Sequence, residues 1–138
     1  MNNDAILIID DNPADIILAK KAIAISRPGC VITIAENGRQ AIELLQRGEL
    51  PSLVFLDYKM PGLTGIDVLS TIRTCEATRY VPVVMLSSSN YGGDMRDAYN
   101  AGANSYLNKT FDFGLFTEEI NTVLHYWLDL NRSPAKVS

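Results

Sequence analysis

Apolar runs recur along the chain, each followed by a polar break and then by residues at helical spacing. The runs are Ala5–Ile9, Val31–Ala35, Leu53–Leu56, Val83–Leu86 and Ser105–Leu107. Short, nearly continuous apolar stretches of this kind are expected for strands of a parallel sheet that is covered on both faces. Val31–Ala35 is the weakest, because Thr33 interrupts it. Between the runs lie helical stripes: Ile16, Ala19 and Ile23; then Ala41, Ile42, Leu44 and Leu45; then Ile66, Val68, Leu69 and Ile72. A helix is expected around Met95–Ala101, and a last one shows Phe116, Ile120, Val123, Leu124 and Trp127 on one side. The breaks agree with this reading. Asn12-Pro13 and Asn37 suit helix starts, Asp112 lies near the start of the last helix, and Pro28-Gly29, Gly48 and Gly102 suit helix ends. Strand and helix alternate five times, which predicts a doubly wound α/β fold with helices on both faces of a parallel sheet. A chain of 138 residues suits one domain. We expect that domain over 1–131, with 132–138 a flexible tail and no output domain.

The polar residues that end the runs change the picture from fold to chemistry. Asp10 and Asp11 leave the first strand, Asp57 the third, Ser87 the fourth and Lys109 the fifth. In an open parallel sheet, ligands bind outside the carboxyl ends of the strands. If the first and third strands are neighbours, three carboxylates converge there, and like charges that close are costly unless a cation joins them. Hard oxygen ligands favour Mg²⁺, which keeps several waters and needs one or two protein carboxylates. Lys109 can pair with Asp57 or with a phosphoryl group on it, and Ser87 can donate a hydrogen bond to a phosphoryl oxygen. The set suits phosphoryl transfer, with an aspartate as the nucleophile.

Four motifs, IIDDNP, LDYKMPGLTG, VVMLSSS and AGANSYLNK, together make the chain resemble the receiver domains of two-component response regulators, in the family's order and spacing over roughly Ala5 to Leu130. The resemblance implies the (βα)5 flavodoxin-like receiver fold with strand order 2-1-3-4-5, an order that belongs to the family and is not a deduction from spacing. It implies Asp57 as phosphoacceptor and metal residue, Asp11 as a direct Mg²⁺ ligand and Asp10 as one through water, with the backbone carbonyl of Lys59, and Lys109 as the phosphoryl contact. Ser87 is then the switch hydroxyl and Tyr106 the switch aromatic, while Pro61 and Gly65 shape the loop after the acceptor. The implied donor is a sensor histidine kinase, with bacterial phytochromes among the candidates, since the chain ends are similar to the stand-alone regulators paired with them. Output would pass to a downstream protein or a phosphotransfer domain. Such a protein catalyses only its own phosphorylation and dephosphorylation.

One departure from the family is Thr110, where the family has a proline joined to the lysine by a cis bond. A cis bond before a non-proline residue costs about 2.5–4 kcal/mol, so Lys109–Thr110 is expected either trans or held cis under strain. Lys59 stands two positions after the acceptor, beside the path of hydrolysing water in this family, and is expected to prolong the phosphorylated state.

Charge and remaining residues narrow the partners. The net charge is −4, which argues against a nucleic-acid surface and against attraction to anionic membranes. No apolar run approaches a membrane span, and the N-terminus lacks the basic region and cleavage site of a signal peptide. A cytoplasmic location is therefore expected. Cys30 and Cys75 are expected as reduced, mostly buried thiols, and His125 as a surface or helix-packing residue. Tyr126, Trp127, Leu128 and Leu130 cannot all face one core on a helical period, so Tyr126 and Trp127 are expected at an interface, in a homodimer formed through the last helix.

Three other readings compete. A haloacid-dehalogenase-type phosphatase would need an aspartate where Lys59 stands. A flavodoxin-like cofactor binder would meet repulsion between its phosphate and Asp10-Asp11. A degenerate receiver acting as a constitutive interaction module would lack one of the key residues.

Overall fold

The computed structural model describes residues 4–48, 50–88 and 91–134. Five strands and five helices alternate: β1 (Ala5–Ile9), α1 (Pro13–Ser26), β2 (Val31–Ala35), α2 (Gly38–Gln46), β3 (Leu53–Asp57), α3 (Gly65–Thr74), β4 (Val83–Ser87), α4 (Gly92–Ala101), β5 (Ser105–Asn108) and α5 (Phe113–Leu124). All strand pairs are parallel, in the order β2-β1-β3-β4-β5. The (βα)5 doubly wound fold is therefore the one expected.

Strand alternation sorts the core into two layers. Leu7, Ile9, Val54, Leu56, Val83 and Met85 pack on one face against α2, α3 and α4. Ile6, Ile8, Leu53, Phe55, Val84 and Leu86 pack on the other against α1 and α5. β3 and β4 are buried throughout, as central strands covered on both faces must be. β2 is an edge strand with every other residue exposed, which explains its weak signal around Thr33.

The caps follow the sequence. Asn12 accepts hydrogen bonds from the amides of Ala14 and Asp15 with Pro13 at the first helical position, Asn37 accepts from Gln40, and Asp112 from Leu115. Thr64 and Asp67 form a reciprocal capping box at the start of α3. Helix α4 begins at Gly92, earlier than the apolar pattern suggests. A side chain on Gly93 would stand 2.4 Å from the Tyr91 ring, so glycine there lets that ring lie over the first turn. At the other end of α4, the half-buried Arg73 guanidinium gathers several acceptors. It donates to the carbonyls of Gly102 at 2.8 Å and Val81 at 2.7 Å, and to Asn104 Oδ1 at 2.7 Å, joining α3 to the turns that flank β4 and β5.

Past Leu124 the last helix widens into a π-helical segment, His125–Leu130. The wider winding buries Leu128, leaves Trp127 half-buried against the α1/α5 layer, and exposes Tyr126 and Leu130. Arg27, at the end of α1, holds this segment by pairing with both Asp4 and Asp129. Of the expected tail 132–138, residues 132–134 are described: Ser133 is buried and its hydroxyl donates to the Tyr80 carbonyl, and the rest lies outside the described residues. The cysteines depart from expectation. Cys30 is half-buried just before β2, and Cys75 is exposed at the C-cap of α3, where hydrogen bonds from the Ala77 and Thr78 turn lower its pKa. At that cap Cys75 lies between the exposed Thr74 and Glu76, at the surface. Among the described residues no helix is long and apolar enough to cross a membrane.

Candidate functional site

The alternation that builds the two layers also sorts the polar residues at the strand ends. Asp10 continues the parity of Ile6 and Ile8, Asp57 that of Leu53 and Phe55, and Lys109 that of Leu107. All three fall on the α1/α5 side of the sheet. Ser87 continues the parity of Val83 and Met85, on the α2/α3/α4 side. The register pairs Met85 with Tyr106 and Ser87 with Asn108, so Ser87 and Tyr106 are diagonal neighbours on that second face. Tyr106 is half-buried there against the core, and Ser87 is buried.

The convergence expected of the acidic residues is present. Ligand oxygens of Asp10, Asp11 and Asp57 lie within 4.8 Å of one another. Register explains this: β1 and β3 pair as Ile9 with Leu56, which brings their next residues side by side. Lys109 Nζ donates to Asp57 Oδ1 at 2.9 Å, to Asp10 Oδ2 at 3.1 Å and to Asp15 Oδ2 at 2.8 Å. Its backbone amide is fixed by the Ser87 carbonyl at 2.8 Å. The Lys109–Thr110 peptide is trans, one of the two expected forms, and the lysine still reaches Asp57.

Asp15 is absent from the motif-based reading. It lies in the first turn of α1, where an acidic residue ordinarily serves the helix dipole. That ordinary role hides the second one. A hydrogen bond at 3.3 Å from the Tyr58 hydroxyl to Asp94 was equally invisible; it links the residue after Asp57 to the first turn of α4.

Electrostatically the site is strained toward accepting positive charge. Burial, with a smaller contribution from the Asp10 charge, pushes the Asp57 carboxyl up to about 6 against the pull of Lys109. Asp10 is also raised, chiefly by burial, although the Asn12 amide at 2.9 Å and Lys109 oppose it. Burial alone would lower Lys109, but its bonds to Asp15 and Asp57 and the Asp10 charge outweigh this and raise it. Among the described residues, three carboxylates pair with the Lys109 ammonium and Asp11 lies beside two of them, more negative charge than one ammonium neutralises. A hard oxygen donor set with excess negative charge fits a divalent cation such as Mg²⁺.

The loop after Asp57 is shaped by a close approach. A Cβ on Gly65 would sit 2.4 Å from the Asp57 carbonyl oxygen, so only glycine lets α3 start there. Gly62 adopts φ 77°, and Lys59 is exposed beside a shallow cavity of about 400 Å³ lined by Tyr58, Met60, Pro61, Thr64 and Ile66. The remaining candidates lie elsewhere. Tyr126 and Trp127 meet edge to face at 5.0 Å in the π-helical segment, and of the two only Tyr126 is exposed. His125 is exposed and pairs with Asp129 at 2.9 Å.

Comparison with known proteins places these features in a wider set. The profile of the response regulator receiver domain matches residues 6–121. A probable methanogenesis regulatory protein, FilR2 of Methanothrix harundinacea, is 36% identical over 94% of this chain and 86% of its own. The phosphorylated cyanobacterial phytochrome response regulator RcpA superposes with a TM-score of 0.89 at 26% identity, covering 96% of this chain and 99% of its own. The Mn²⁺-bound form of the response regulator Rcp1 superposes with a TM-score of 0.84, again at 26% identity, over 96% of this chain and 99% of its own.

Proposed function

The chain belongs to the response regulator receiver domain family, and from that premise we propose that it is a phosphorylation switch in two-component signalling, with Asp57 as the acceptor. The observation that carries this reading is the three-way contact of Lys109 with Asp57, Asp10 and Asp15 beside the converged carboxylates. An Asp57 carboxylate oxygen attacks the phosphorus of a phosphohistidine on a sensor kinase. The new O–P bond forms as the N–P bond breaks, and the imidazole nitrogen leaves with the electron pair. With a pKa pushed up to about 6, Asp57 is mostly ionised at neutral pH and retains nucleophilic character.

The carboxylates of Asp10, Asp11 and Asp57 and the backbone carbonyl of Lys59 would hold Mg²⁺, which when bound offsets the charge that accumulates on the phosphoryl oxygens. Lys109 supplies the protein's own cation to those oxygens. Ser87 and Tyr106, neighbours on the opposite face, would carry the change toward α4 and β5, a packing switch biased by new charge. The chain acts on itself and turns over no separate substrate. The likeness to RcpA, a phytochrome response regulator, supports a phytochrome-type kinase as donor. The exposed Tyr126 and Leu130 supply a surface for a homodimer.

The test is intact mass after incubation with Mg²⁺ and phosphoramidate, on the parent and on Asp57→Asn. One added phosphoryl group is expected in the parent, absent from Asp57→Asn and prevented by EDTA. Labelling that survives Asp57→Asn would overturn the assignment of the acceptor.

A further inference from the structure

The ammonium of Lys109 has three N–H donors, and three carboxylates take them: Asp15 at 2.8 Å, Asp57 at 2.9 Å and Asp10 at 3.1 Å. A phosphoryl group on Asp57 brings new oxygens that also need this cation. The donor aimed at Asp57 passes to the group it carries, but a further donor reaches that group only if Asp10 or Asp15 gives up its share. The carboxylates differ in what that would cost. The Asp10 and Asp57 side chains are 4% and 8% exposed, whereas that of Asp15 is 32% exposed. A buried carboxylate stripped of its partner pays a full desolvation penalty. Asp15 can turn to water instead. It also belongs to a different element, the first turn of α1.

We propose that Asp15 is a positioning residue for Lys109, holding the ammonium toward α1 in the resting protein so that phosphoryl transfer to Asp57 must first draw the lysine away from it. This rests on Asp57 being the acceptor, as proposed above. Asp15 touches no reacting atom in this scheme; it acts through Lys109. Its neutralisation releases Lys109 toward the acceptor, and the pair Asn12 and Pro13 that starts α1 keeps the helix in place without it.

The experiment measures the rate of phosphoryl loading from phosphoramidate with Mg²⁺, by intact mass, for the parent, Asp15→Asn, Asp15→Glu, Lys109→Met and the double variant Asp15→Asn/Lys109→Met, with Asp57→Asn as control. Asp15→Asn is expected to load about threefold to tenfold faster than the parent, the range set by a part-exposed, charge-assisted contact. Asp15→Glu restores the charge and is expected to return the rate toward that of the parent. In the Lys109→Met background the gain is expected to vanish. A gain that persists there would mean that Asp15 merely repels an anionic donor, and the proposal falls. Equal or slower loading by Asp15→Asn, with melting unchanged, also overturns it. A parent that does not load at all, with Asp57→Asn no different, refutes the acceptor assignment itself and the positioning role with it.

Discussion

Replacing Asp57 by asparagine should stabilise the metal-free protein at neutral pH, although it removes the residue on which the proposed function depends. Asparagine keeps the shape and a carbonyl oxygen that can still accept from Lys109, which lies 2.9 Å from Asp57 Oδ1. What it loses is a charge the fold disfavours. The Asp57 carboxyl is displaced from its ordinary 3.8 to about 6, mainly by burial and then by the Asp10 charge. That displacement corresponds to roughly 1–3 kcal/mol. The sign follows from linkage. The folded state binds this proton more tightly than the unfolded chain, so the associated stability is fully present below about pH 4 and is lost as pH rises through about 6. Urea denaturation in EDTA, from pH 5 to pH 8, reads this directly. Asp57→Asn is expected to exceed the parent by about 1–3 kcal/mol at pH 8, with the gap narrowing as pH falls. Adding Mg²⁺ should narrow it from the other side, because a cation that binds the native carboxylates stabilises the parent by mass action. A gap independent of pH, or an asparagine variant less stable at pH 8, would refute the electrostatic reasoning.

Two further outcomes are expected. The exposed Lys59 beside the cavity after Asp57 is expected to slow hydrolysis of the phosphorylated form. Lys59→Ala should shorten the half-life of the label by about threefold or more, on the scale of one charged contact, and an unchanged half-life would remove Lys59 from the account. The exposed Tyr126 and Leu130 are expected to support self-association. Light scattering over a concentration series should show a mass above that of the monomer, reduced by Tyr126→Ser; a monomer mass at every concentration would exclude the homodimer.

Much of the fold was written in local pattern. The caps at Asn12, Asn37 and Asp112 and the helix ends at Gly48 and Gly102 stand where the residue types indicate. These are interactions between residues a few positions apart, so the chain states them directly. Asp57, Lys109, Asp10 and Asp11 were legible for a different reason: a polar residue ending an apolar run has no packing role and stands out. The start of α4 at Gly92, ahead of the expected Met95, was not legible, since Gly93 is shaped by the Tyr91 ring beside it. Cys75 misled because cap geometry overrode the usual burial of a thiol.

The five β/α units, their two-sided burial and the residues at the strand ends follow from periodicity and neighbour chemistry along one segment each. How those ends combine follows only from the packing of distant elements. Pairing of β1 with β3 joins the carboxylates, and the packing of α1 beside them hands Lys109 a third partner in Asp15. Strand parity then puts Asp57 and Lys109 on one face and Ser87 with Tyr106 on the other. The π-helical widening after Leu124, which divides Trp127 from Tyr126, is likewise a tertiary outcome, stabilised where Arg27 reaches Asp129 across 102 positions of sequence. Contacts of that span depend on where distant elements meet, and no local pattern encodes the meeting.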